Sequence, residues 1–134
     1  MKYTELKNKT YRSYKKIKQV YCPYMKTTVV FNAKGFWHMI YTGRNEKRDI
    51  STQKLRFILL KKAVAVIRIT TTLQEYEKEP RIEYHGFIAI IDNWKIKVIV
   101  KKIGNGALFF WSVIPNWRTR RKEKFLFKGD MEKD

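Results

Sequence analysis

"RIEYHGFIAIIDNWKIKVIVKKIGNGALFFWSVIP", residues 81–115, is the stretch whose reading decides the fold. It holds three apolar, β-rich runs, parted by Asp92–Asn93 and by the "IGNG" of residues 103–106. Asp-Asn and Asn-Gly pairs accept positive φ at both centres of a type I′ turn, the connection that suits the twist of a hairpin. The segment therefore reads as an antiparallel meander, and its turns set the register. Ile91 falls opposite Trp94 and Ile88 opposite Lys97. An Asn105–Gly106 turn puts Lys101 opposite Phe110, Ile99 opposite Ser112 and Lys97 opposite Ile114. Side chains alternate across a strand, so one face is predicted to carry Phe87, Ala89, Ile96, Val98, Val100, Phe109, Trp111 and Val113. That face is apolar throughout and should pack on helices. The opposite face is predicted to carry Tyr84, Lys95, Lys97, Lys101, Phe110 and Ser112. A polar outer face is ordinary for an antiparallel sheet. Lysines repeated on one surface without an acidic neighbour are nevertheless unfavourable unless an anion answers them.

Working back toward the N-terminus, "RDISTQKLRFILLKKAVAVI" is the clearest helix. Asp49 or Ser51 can cap it, and Leu55, Ile58, Leu59, Ala63 and Val66 recur at helical spacing, with Lys54, Lys61 and Lys62 outward. Its β-branched tail, "VAVIRITTT", is compatible with a strand as well. "LQEYEKEP" (73–80) reads as a polar connector. "TTVVF" (27–31) is a short strand signal. "FWHMIY" (36–41) suits either a helix turn or a strand. Residues 4 to about 20 read as a basic helix with Leu6, Tyr14, Ile17 and Tyr21 on one stripe, ended by Pro23.

The fold class expected is α+β, with N-terminal helices packed on a curved antiparallel β-meander. One domain is expected over residues 1–134: a basic N-terminal helix (1–26), a core (27–115) and a basic C-terminal extension (116–134).

Thirty Lys and Arg against twelve Asp and Glu give a net charge of +18. A surplus of that size on a small domain creates a positive field that draws polyanions. Hydrophobic residues make up 44% and aromatics 15%, which argues against disorder. The single cysteine, Cys22, cannot form an internal disulfide, which fits a reducing, cytoplasmic setting. No stretch approaches the roughly 18 apolar residues of a membrane span, and the polar N-terminus lacks the centre of a secretion signal. No zinc spacing or glycine-rich phosphate loop is present, and neither a metal nor another cofactor is expected. In "PNWRTRRKEKFLFKGD" (115–130), Arg118 and Arg120 could position phosphates, and Trp117 could stack a base.

Two groups of residues carry a resemblance: "GFWHMIY" followed by "GRNEKR", and "KIKVIVKKIGNGALFFWSVIP" with its Ser112. In the order of its elements, the chain over residues 29–115 resembles the barnase–EndoU–colicin–RelE-like nucleases. These are small metal-independent ribonucleases, many of them toxins of bacteria and phages. The resemblance implies a barnase- or RelE-like core in which the His38 neighbourhood and the end of the last strand form one cleft. It further implies RNA (tRNA or mRNA) as substrate and an acidic antitoxin or immunity protein as partner. The chain lacks a second histidine near the first, which puts a two-histidine mechanism in doubt.

Cleavage of RNA without metal uses the 2′-hydroxyl as nucleophile. It needs a base, an acid, and cations for the charge that develops on phosphorus. His38 is the candidate proton carrier. Arg44, Lys97 and Lys101 are candidate phosphate clamps, with Arg48 beside them. Ser112 and Tyr41 would orient phosphate oxygens, and Tyr84 could stand in for a missing acid or base. Three other readings stay open. One is an RNA or single-stranded nucleic-acid-binding module without chemistry, in which His38 is a packed core residue. Another is a metal-dependent nuclease using Glu83 and His85, and the last an interaction protein for an acidic partner or a membrane surface.

Overall fold

The computed structural model describes residues 2–115. The chain is α+β. Its described elements are α1 (Tyr3–Ile17), β1 (Gln19–Cys22), β2 (Thr27–Val30), α2 (Ala33–Ile40), α3 (Ile50–Ile69), β3 (Glu75–Glu79), β4 (Ile82–Ile91), β5 (Trp94–Ile103) and β6 (Phe109–Pro115). The strands form one sheet in the order β1-β2-β6-β5-β4-β3. Strands β3 to β6 are the meander. The β1–β2 hairpin joins its side through a parallel β2–β6 contact at Val30 and Phe109, so the sheet is mixed. No described helix is long and apolar enough to cross a membrane.

The β4–β5 hairpin forms in the expected register, with Asp92 at φ 50° and Asn93 at φ 67° and with Ile91 paired to Trp94. The next hairpin departs from expectation. Ile99 pairs with Ser112 and Lys97 with Ile114 as read from the turn, but Val100 pairs with Phe110 and Lys101 with Phe109. Trp111 is the extra residue, a bulge that reverses the alternation beyond it. Phe110 therefore joins Phe87, Ile96, Val98, Val100 and Val113 in the main core, whereas Phe109 and Trp111 lie on the opposite face with Tyr84 and Ile99. The left-handed residue of this turn is Gly104, at φ 56°.

The helices cover one face. Helix α3 packs on α1, α2 and four strands, and its tail stays helical because Val66 and Ile67 are fully buried there. Tertiary burial overrides the β-branched preference. Its buried face includes Gln53 and Arg56, while Ile58, expected in the apolar stripe, is exposed. Helix α1 ends at Ile17, well before Pro23, because Lys18 turns left-handed (φ 61°) and its carbonyl accepts from Phe31 N at 2.8 Å. Tyr21 then falls on β1 and is exposed. The "polar connector" is the edge strand β3, paired with β4 along Glu75–Glu79.

Helix α2 settles the ambiguous "FWHMIY" as helix. Asn32 caps it by accepting from Gly35 N. Gly35 is required, because a Cβ there would collide with the Phe110 carbonyl oxygen and the Tyr14 hydroxyl. Among the described strands, β2 meets β6 only at Phe109, and α2 packs beside β6. That arrangement brings the His38 helix against the bulge.

Candidate functional site

A cavity of about 480 Å³ opens between α2, the 41–48 turn and the β5–β6 strands. His38, Tyr41 and Lys101 line it together with Lys34, Trp37 and Trp111, and among the described residues no carboxylate does. Three residues chosen from the sequence therefore share one wall.

His38 is 3% exposed and stacks on Trp111, with ring centroids 3.8 Å apart. Arg48 grips it twice. Its Nε donates to the His38 carbonyl at 2.9 Å, and its Nη2 lies 3.1 Å from the imidazole Nε2. A guanidinium only donates, so Nε2 is the acceptor and the ring proton belongs on Nδ1. Burial, then the cations Arg48, Arg56 and Lys101, push the imidazole pKa down to about 2. The ring is neutral at physiological pH and has no proton to give as imidazolium. Its lone pair is occupied by Arg48.

The Lys101 ammonium sits 3.8 Å from the centroid of the Trp111 ring and 5.1 Å from that of Tyr84. Burial and the neighbouring Lys34 lower its pKa. The Trp111 Nε1 and the Tyr84 hydroxyl are buried without a hydrogen-bond partner among the described residues. Each such donor costs about 1–3 kcal/mol unless an acceptor arrives.

Ser112 is fully buried behind this wall and accepts from the Arg56 Nη1 at 2.6 Å. Tyr84 is fully buried as well, against Lys101. The expected open cationic face is not open: Lys97 is 0% exposed and Lys101 6%. Nor is it free of acid, since Lys97 Nζ pairs with Glu75 Oε2 at 3.2 Å. The missing acid was hidden in the segment read as a connector, and Lys97 is structurally engaged rather than poised as a clamp. Arg44 stands exposed on the 41–48 turn and does not line the cavity. Arg118, Arg120 and Trp117 lie outside the described residues.

Four contributors escaped the sequence reading as site residues: Lys34, Trp37, Arg56 and Trp111. Arg56 had a legible signal, because Gln53, Arg56, Phe57 and Leu60 fall on one helical face, so polar groups are buried there. Trp111 did not, since its position depends on the bulge. Glu83 accepts from the Tyr76 hydroxyl at 2.9 Å, and among the described residues no three His, Cys, Asp or Glu side chains come together. No protein-family model, curated protein or solved structure matches the chain.

Proposed function

We propose that the chain is a metal-independent endoribonuclease of the toxin type, binding RNA in the α2–β6 cavity. The observation that carries this reading is the meeting of His38 with Lys101, Arg48 and Arg56 beside a cavity with tryptophan walls. A phosphodiester is the kind of anion that a cluster of cations attracts, and a base stacks on the aromatic wall. Lys34 and Lys101 hold the phosphate. The buried Trp111 Nε1 donates to an RNA oxygen or ring nitrogen.

Arg48 acts as a latch on the imidazole. A bound phosphate competes for its guanidinium, because a charge-assisted bidentate contact is stronger than one to a neutral ring nitrogen. Release uncovers Nε2, and the added negative charge raises the imidazole pKa toward the range of a working base. His38 then takes the 2′-hydroxyl proton, the 2′-oxygen attacks phosphorus, and the 5′-oxygen leaves as Lys101, its own pKa lowered, supplies a proton. The product is a 2′,3′-cyclic phosphate.

Incubation with total RNA and with tRNA in EDTA tests this. Discrete fragments ending in cyclic phosphate are expected, lost in His38→Asn and in Lys101→Gln. Cleavage abolished by EDTA in the unaltered chain would overturn the metal-independent mechanism. A second reading, an RNA-binding module without chemistry, is favoured by the occupied Nε2 and the low imidazole pKa of the ligand-free site. RNA retained but left intact by the unaltered chain would establish it over the first.

A further inference from the structure

A second cavity, about 260 Å³, lies on the other side of Trp37, between α1 and the start of α2. The two cavities share Ala33 and Trp37 as a common wall. Trp37 is 49% exposed and Tyr11, in the smaller cavity, 43%. Two half-exposed rings lining the same cavity offer a flat apolar surface on which a third ring could stack. Cations accompany them: Lys15 and Lys18 line the smaller cavity, as Lys34 and Lys101 line the larger, and among the described residues neither is lined by a carboxylate. Lys15 Nζ stands 5.3 Å from the centre of the Tyr11 ring, leaving its charge over an aromatic platform. Tyr11 is itself braced edge-on against the buried Phe36, at 4.9 Å, so its ring is held rather than free to sweep.

We infer that this smaller cavity is a second nucleotide subsite, which holds the base adjoining the scissile position of a single-stranded RNA. The inference rests on the RNA reading above and adds the direction in which the strand leaves the cleavage cavity. The adjoining base lies against Tyr11 and Trp37, its phosphate meets Lys15 and Lys18, and Trp37 stands as the divider between two successive bases. Rings and amines without a base-edge code are how sequence-tolerant single-strand grooves work, each stacked base contributing about 1–3 kcal/mol. At 260 Å³ the cavity suits a base rather than a whole nucleotide, so the sugar–phosphate chain runs outside it, along the lysines. A duplex cannot splay its bases across such a ridge, so paired RNA is excluded from the track.

The test measures binding of a fluorescent six-nucleotide 2′-O-methyl RNA, which cannot be cleaved, to the full chain. Tyr11→Ala is expected to weaken binding at least about 10-fold, consistent with the loss of one stacked base. Lys15→Gln, on an exposed side chain that leaves the core untouched, should weaken it several-fold. A duplex of the same sequence should bind more weakly than the single strand. Unchanged affinity in both variants, with Lys34→Gln still weakening binding, overturns the second subsite and leaves the first reading standing. No binding of any single-stranded RNA by the unaltered chain overturns both.

Discussion

His38 sits where burial and three cations refuse it a proton, and that refusal has a signature in stability. Well above the ordinary histidine pKa of about 6.5 the ring is neutral in folded and unfolded chains alike, so it contributes no pH dependence there. Below that value the unfolded chain takes up a proton that the folded chain does not, down to about 2. Stability therefore falls on acidification, by up to about 1.4 kcal/mol for each pH unit. His38→Asn removes that one titration. Thermal unfolding across the acid range should show the native chain losing stability faster than the variant between pH 6.5 and pH 4. Parallel curves would mean that the imidazole titrates normally in the folded chain.

At the level of elements, a close joint forms between α2 and β6. Gly35 lets the helix backbone lie against the Phe110 carbonyl, and Tyr14 closes the same point by donating to the Asn32 carbonyl at 2.6 Å. Gly35→Ala must push these apart, and overpacking of this kind costs about 1–3 kcal/mol. Urea unfolding should show a lower midpoint with an unchanged slope. Because α2 carries His38 and Trp37, the same substitution should also weaken RNA binding. This joint was not readable from the chain. The β4–β5 hairpin was, since Asp92 and Asn93 alone dictate their turn. The main core face was legible for the same local reason. The exchange of Phe109 and Trp111 for Phe110 was hidden, because a bulge answers to what packs beside it. The candidate site follows that division: His38, Tyr41 and Lys101 could be singled out by residue type. Lys34 and Trp37 become site residues only when α2 is docked, whereas Arg56 was foreshadowed by its place on the buried face of α3. Edge strand β3 was missed because its alternation is of charged residues, with no apolar face to announce it.

Across the whole molecule, the +18 charge makes some affinity for any polyanion inevitable, so specificity must be read from how the charge is placed. Binding to single-stranded RNA should weaken linearly on a log–log plot against salt, with a slope of about −0.7 for each phosphate engaged. Lys34→Gln should flatten that slope by about 0.7, whereas Lys78→Gln, on exposed β3, should leave it unchanged. Equal changes in both would mean diffuse attraction without a track.

The contrast between those two lysines comes from β3. It places Glu75, Glu77 and Glu79 at the sheet edge remote from β1 and β2. Among the described residues, a body with cationic cavities beside α1 and α2 and three glutamates along β3 carries its charge unevenly. An approaching nucleic acid exerts a torque on it before any contact is made. Under the RNA reading, such encounters would be oriented, with α1 and α2 leading and β3 trailing. Replacing the glutamates of β3 with lysine would therefore speed association with a polyanion while blurring its orientation.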